Sequence, residues 1–322
     1  MAEGQRNESI ATASAPFGAE AIARAAALIA AGRPVAVPTE TVYGLAADAR
    51  NPQAVARIYA AKGRPDFNPL IVHVPTLAMA ETLGEFGTAE RALATRFWPG
   101  PLTLVVPRTP GCPVASVATA GLDTIALRVP GHRAMQALLA ASGAPLAAPS
   151  ANASGRVSPT RAEHVLASLA GRIDLVIDDG ATSAGVESTI ARVKNGAVEI
   201  LRPGPVTAEM LGEASGLAVT GIEGSEIVAP GMLASHYAPG KPVRLGARDF
   251  AADEFGIGFG AVRGDYDLSI AGDLIEAAAR LFDALHAGAT SAKAKIAVAA
   301  IPVEGLGAAI NDRLARAATP AQ

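Results

Sequence analysis

Four short stretches of this 322-residue chain carry hydroxyl, amide and cationic side chains into a sequence otherwise dominated by alanine, valine and leucine. In "PTETVYG", an extended chain projects Thr39 and Thr41 to one side and Glu40 to the other. Two hydroxyls so placed can bind a polar ligand, and Gly44 lets backbone approach closely. A surface loop whose threonines bond their own backbone explains the same residues. In "KGRPDFNPLIVHV", Lys62 offers a mobile point charge and Arg64 a planar fork, a pair suited to phosphate groups. The dipole of a helix ending at Lys62 accounts for that residue, but poorly for Arg64 beyond it. His73, inside the next strand, is more simply a packed histidine.

In "APSANASGRVSPT", Ser150 and Asn152 stand two apart where the chain leaves a strand, the edge at which α/β folds place ligands. Ser158 is positioned as the N-cap of a helix with Pro159 behind it, and free N–H groups there form an anion site. Turn and cap chemistry explains the stretch equally well. Finally, "GVESTI" puts Ser188 at the opening of one strand and "LRPG" puts Arg202 at the end of another. Neither is distinctive alone. A P-loop is absent, and "GIGFGA" has dinucleotide-motif spacing but leads into "VRGDYD" instead of a helix, so turn glycines explain it.

These residues need elements to hold them. "AEAIARAAALIAAG" reads as a helix stopped at Gly32, followed by the strand "PVAVP". "NPQAVARIYAAKG" has Asn51 as N-cap, Pro52 at the first helical position and Gly63 past the end. "PLIVHV", "PLTLVVP", "TIALRVP" and "DLVIDD" read as strands, "GHRAMQALLAASG" as a helix, and "APLAAPSAN" as a strand running into a loop. "STIARVKNGAVEILR" reads as a hairpin turning at Asn195-Gly196. Strands alternating with short helices predict an α/β layer fold with some antiparallel pairing. From 213 to 242 the sequence is rich in Gly, Ser and Pro and has no helical period, so it reads as a long connector. Beyond it, "VRLG", "GIGFGAV", "IAGDLIEAAARLFDALHAG", "KIAVAAIP" and "LGAAINDRLARAA" predict a second, smaller α/β unit.

Composition bounds the chemistry. Half of the residues are apolar and 4% aromatic, so the core must be built from Ala, Val, Leu and Ile. One cysteine, Cys112, cannot form an intramolecular disulfide, and no Cys/His group has zinc-ligand spacing. Residues 20–210 carry 17 Lys and Arg against 15 Asp and Glu, and residues 211–322 carry 9 against 13. Neither region has the basic excess of a dedicated nucleic-acid binder, so any anion site must be local. The polar first 18 residues lack the apolar core of a signal peptide and read as a flexible tail, and no run approaches a membrane span.

The order of the motifs is more specific than any one of them. "PTETVYGL", "KGRPDFNPL", "WPGPLT", "RVP", "PSAN", "ESTI" and "RPG", in that sequence, resemble the YrdC-like catalytic domain of threonylcarbamoyl-AMP synthases. "SHYAPGKP" and "GLGAAINDRLARAA" are similar to the long, two-domain form of that family, so the resemblance covers about residues 16–322. It implies a YrdC-like open, twisted mixed sheet with flanking helices over 16–212, behind a tail of residues 1–15. A connector or lid over 213–242 and a Rossmann-like C-terminal α/β domain over 243–322 would follow. The implied activity joins L-threonine, bicarbonate or CO2 and ATP into threonylcarbamoyl-AMP with release of pyrophosphate, Mg²⁺ accompanying ATP. The product would pass in the cytoplasm to the tRNA threonylcarbamoyl transferase machinery, with tRNA itself only an indirect or weak partner.

By position, Thr41, His73, Arg128, Ala148 and Ser188 match the family's threonine-binding residues. Lys62, Arg64, Asn68, Thr124, Ser150, Asn152, Ser158, Arg202 and Tyr237 match its nucleotide contacts, and Lys62, Arg64, Ser150 and Asn152 its catalytic ones. A guanidinium fork at Arg128 suits the amino-acid carboxylate. No residue stands out as a general base. A non-catalytic RNA-binding module is disfavoured by the negative charge balance and scarce aromatics. Carbamoyl transfer in hydrogenase maturation, which uses a similar domain, is disfavoured by the absence of zinc-finger cysteines and acylphosphatase-like segments.

Overall fold

The computed structural model describes residues 11–64, 68–221 and 236–319. The N-terminal unit begins with β1 (Ala13–Pro16), α1 (Ala19–Ala30), β2 (Val35–Pro38), β3 (Tyr43–Asp48) and α2 (Pro52–Lys62). It continues through β4 (Ile71–His73), α3 (Leu77–Leu83), α4 (Thr88–Phe97), β5 (Leu102–Pro107), β6 (Thr124–Arg128) and α5 (Arg133–Ser142). β7 (Leu146–Ala147), α6 (Ala162–Leu169), β8 (Leu175–Asp178), β9 (Thr189–Lys194), β10 (Ala197–Arg202), α7 (Ala208–Ser215) and β11 (Ala218–Gly221) complete it. The described strands form one mixed sheet in the order β1-β8-β2-β3-β7-β4-β6-β5-β9-β10-β11. This is the mixed α/β sheet expected.

Local chemistry sets several boundaries as anticipated. The Asn51 side chain accepts from the N–H groups of Gln53 and Ala54 at 3.0 and 3.1 Å, and Gly63 ends α2 in the left-handed region. Asn195 and Gly196 both take positive φ, 53° and 75°, between antiparallel β9 and β10. Three expectations fail. Residues 13–16 are not a free tail: β1 pairs in parallel with β8, because that open edge offers backbone partners to any segment able to extend. The connector does not begin at 213, since α7 runs to Ser215 and β11 adds to β10 from Ala218 to Gly221. Ser158 is not a helix N-cap. Helix α6 starts at Ala162 behind Arg161, because the Pro159 carbonyl accepts from Tyr43 N–H at 2.8 Å and the Thr160 carbonyl from Thr182 N–H at 3.0 Å. Those tertiary partners hold the segment extended.

The C-terminal unit contains β12 (Val243–Ala247), β13 (Glu254–Gly258), β14 (Tyr266–Asp267), α8 (Leu274–Thr290), β15 (Lys295–Ala299) and α9 (Leu306–Ala318). Its four strands form a wholly parallel sheet in the order β12-β15-β13-β14. The apolar cluster of this unit takes in Val42, Val157 and Val186 of the first unit together with Leu281, Phe282 and Ile310. The two units therefore share buried surface. No described helix is long and apolar enough to cross a membrane.

Candidate active site

A cleft lies where the first unit meets His236 and Tyr237. Its first wall is the turn joining β2 to β3. Pro38 pairs with Tyr43, so residues 39–42 must reverse the chain, and "PTETVYG" is a hairpin tip instead of an extended segment. Thr39 Oγ1 closes the turn, accepting from the N–H groups of Thr41 and Val42 at 3.1 and 3.2 Å and donating to the Val42 carbonyl at 2.8 Å. For Thr39 the self-bonding explanation is correct. The turn also prevents Glu40 and Thr41 from pointing apart: both reach Arg128.

Arg128, at the end of β6, is 3% exposed. Its Nε donates to the Gly100 carbonyl at 3.1 Å, Nη1 to Thr41 Oγ1 at 3.0 Å and Nη2 to Glu40 Oε1 at 2.6 Å. Glu40 Oε2 accepts from the Gly131 N–H at 3.0 Å. A guanidinium has five N–H donors, so this frame locks the fork and leaves one hydrogen on each Nη. Beside it, His73 lines the cleft with its Nδ1 unpartnered among the described residues. Burial, reinforced by the Arg128 charge, lowers its pKa to about 3, so the ring is neutral near pH 7.

Ser188 and Arg202 line the same cleft. Arg202 donates through Nε and Nη2 to the Ser188 carbonyl at 3.1 and 2.9 Å, and through Nη2 to Ser188 Oγ at 3.1 Å. Ser188 Oγ also shares a hydrogen bond with Thr103 Oγ1 at 2.8 Å. Arg64 lines the cleft half-buried, with Nη2 3.3 Å from the Pro69 carbonyl. Burial brings both guanidinium groups down to about 10, still cationic near neutrality. Ala148 and Ser150 contribute the wall after β7, where Ser150 bridges Gly44.

Other anticipated residues lie behind the cleft. Lys62 is buried, and its Nζ donates to the carbonyl oxygens of Ser150 and Asn152. Burial foremost, then the Arg64 charge, pushes its pKa well below the ordinary lysine value. Lys62 thus fastens the "PSAN" loop; it is not an open phosphate cation. Asn152 acts similarly, its Nδ2 donating to the carbonyls of Ala153 and Arg156 at 3.0 and 2.8 Å. Asn68 is fully buried, both amide atoms unpartnered among the described residues. Thr124 sits at the opposite end of β6 from Arg128, roughly 13 Å away at strand rise, and does not line the cleft. Ser158 reaches the site indirectly, donating to Glu187 Oε1 at 2.5 Å.

Tyr237 completes the wall. It is buried at φ 63°, its ring centroid 5.4 Å from that of Phe282 and 5.5 Å from the Arg313 guanidinium carbon. Of the lid expected over 213–242, residues 222–235 lie outside the described residues. Three lining or framing groups were not anticipated: Glu40, His236 and Glu187. Glu187 Oε2 accepts from Arg313 Nε at 2.8 Å. Burial alone would raise its pKa, but Arg313, Arg202 and the Ser158 hydroxyl outweigh that and hold it at about 2. Each acid adjoins a residue already singled out, but nothing local reveals that its partner is an arginine far along the chain.

Among the described residues no group of three or more His, Cys, Asp or Glu side chains could hold a metal. Among the described residues, Glu187 lines the cleft and is committed to Arg313, and Glu40 is committed to Arg128.

Comparison with known proteins agrees along nearly the whole length. A family model described as "Telomere recombination" matches residues 27–204, and one described as "Threonylcarbamoyl-AMP synthase, C-terminal domain" matches residues 206–319. The chain is 40% identical to the threonylcarbamoyl-AMP synthase of Bacillus subtilis, covering 92% of each protein. It is 41% identical to that of Pyrococcus abyssi, covering 91% of this chain and 92% of the other. A crystal structure of P. abyssi Sua5 complexed with L-threonine superposes with a TM-score of 0.85 at 36% identity, over 96% of this chain and 97% of that one.

Proposed function

This chain belongs to the threonylcarbamoyl-AMP synthase family and makes threonylcarbamoyl-AMP from L-threonine with ATP, and we propose that it does so in the cleft between Arg128 and Arg202. The threonine carboxylate takes the two open Nη hydrogens of Arg128, a planar fork that Glu40, Thr41 and Gly100 keep in position. Neutral His73 lines the same part of the cleft beside Arg128. The amine adds to CO2, drawn from bicarbonate, forming an N–C bond and losing a proton to water. A carbamate oxygen then attacks the α-phosphorus of ATP, and the bond to the β-phosphate oxygen breaks to release pyrophosphate.

Both partners are anions, so the site's main contribution is electrostatic. Arg64 and Arg202 offset the phosphate charge, while Lys62 and Asn152 fix the loop that presents Ser150. ATP would enter as its Mg²⁺ complex, the cation offsetting part of the phosphate charge alongside Arg64 and Arg202. Residue Tyr237 shields the nucleotide side. The adenylate passes to a transferase that modifies tRNA, in the cytoplasm, with no membrane partner. The observation that carries this reading is the convergence of a framed Arg128 fork, a neutral His73 and the cations Arg64 and Arg202 on one cleft. Pyrophosphate release should require ATP, threonine and bicarbonate together. Equal release from ATP alone, or none from the three together, would refute it.

A further inference from the structure

The segment Gly185–Ser188 is gripped from behind by the C-terminal unit at three consecutive residues. A Cβ at Gly185, where φ is +69°, would stand 2.3 Å from the Ala278 carbonyl oxygen and 2.4 Å from Ala279 Cα. Its backbone therefore lies directly on α8. Val186 is fully buried in the apolar cluster of the C-terminal unit. Glu187 receives the Nε of Arg313 at 2.8 Å, and Arg313, from α9, is 0% exposed. Asp312 takes the Nη1 of the same guanidinium at 2.6 Å and fixes its orientation. Ser188 then faces the cleft, where Arg202 holds both its carbonyl and its hydroxyl.

Glu187 is thus a junction. One carboxylate oxygen meets the C-terminal unit and the other holds the Ser158 hydroxyl. We propose that Arg313 is a positioning residue of the active site: through Glu187 it sets the placement of Ser158, Ser188 and Arg202, so that the C-terminal unit completes the catalytic cleft. This deepens the functional reading above and rests on it. A buried ion pair is a poor source of net stability compared with apolar packing, but removing one partner strands the other charge. Without Arg313, the charged or titratable groups facing Glu187 are Arg202, Lys62, His236 and Tyr237, and burial pushes the carboxyl upward. A protonated Glu187 can donate, and it no longer holds Ser158 and the Arg202 side of the cleft in one arrangement.

The test uses the full chain, with Arg313→Met, Arg313→Lys and the double variant Arg313→Met/Glu187→Gln. Two readouts are taken: threonine- and bicarbonate-dependent pyrophosphate release across pH, and thermal unfolding across pH without substrates. Arg313→Met should stay folded, lose at least tenfold in kcat/KM for ATP and move the acid limb of its rate profile to higher pH. The double variant should abolish that shift, and Arg313→Lys should recover part of the rate. The unfolding midpoints of Arg313→Met should fall less steeply between about pH 4.5 and 2 than those of the unaltered protein, because Glu187 no longer gains stability by staying ionised on folding, and this readout is independent of activity. Absence of activity in the unaltered protein would strike the functional reading alone, because the unfolding readout still tests the contact. A folded Arg313→Met with kcat/KM within twofold of the unaltered protein and an unmoved acid limb would overturn the proposal. If Arg313→Met does not fold, Arg313→Lys decides: a three- to tenfold loss supports the positioning role, and unaltered rate and acid limb refute it.

Discussion

Replacing Arg128 by lysine keeps the charge and removes the fork, which isolates geometry from electrostatics. Arg128 uses three donors internally, to Gly100, Thr41 and Glu40, and retains two for a ligand. A lysine ammonium has three hydrogens in total, so it cannot serve that frame and a carboxylate at once. Hydrogen bonds involving a charged group are worth about 1.5–3 kcal/mol each. Losing two ligand contacts and recovering one in poorer geometry should cost about 2–3 kcal/mol, or roughly 30- to 150-fold in affinity. Threonine titration by calorimetry and the threonine KM at saturating ATP should both show it, while the ATP KM changes less than threefold. The frame also loses donors, so thermal stability should fall by about 1–2 kcal/mol, which the unfolding midpoint checks. Weakened ATP binding with unchanged threonine binding would refute the assignment of the fork to the amino acid.

His73, held neutral with a pKa of about 3 by burial and the Arg128 charge, should show no imidazole titration between pH 5 and 8 by nuclear magnetic resonance. A midpoint near 6.5 would mean that the ring is solvated. Glu187 has its pKa depressed from 4.5 to about 2, so the stability it contributes is complete above about pH 4.5 and is lost as pH falls toward 2. Unfolding midpoints of Glu187→Gln should therefore fall less steeply over that interval than those of the unaltered protein; parallel slopes would remove the linkage. Gly185→Ala should destabilise by about 1–3 kcal/mol through overpacking, because its Cβ would meet α8 backbone at 2.3 Å. An unchanged unfolding midpoint would show that the two units part freely there. Tyr237→Ala should lose about 3–5 kcal/mol of ring burial and Tyr237→Phe far less, as measured by denaturant unfolding; equal losses would transfer the weight to the hydroxyl.

Much of this was determined by the sequence alone, wherever the cause is local. Asn51, Pro52 and Gly63 specify the ends of α2 whatever surrounds them, and Asn195-Gly196 can reach the left-handed region that a tight hairpin needs. Alternating strands and helices dictated the layered α/β fold, and the order of short motifs identified the family, because those residues recur in a fixed sequence even where each is ambiguous alone. What the tertiary structure decided concerns partners distant in sequence. An available sheet edge turned residues 13–16 into β1, and bonds to Tyr43 and Thr182 kept residues 158–160 out of a helix. The hairpin tip brought Glu40 to the same guanidinium as Thr41, where an extended chain would have sent it away. Lys62 was drawn into the carbonyls of the "PSAN" loop because a buried backbone oxygen requires a donor. Glu187 was paired with Arg313, 126 residues further along the chain. Propensity acts over a few neighbouring residues, whereas desolvation of a charge demands whichever countercharge the completed fold brings within reach.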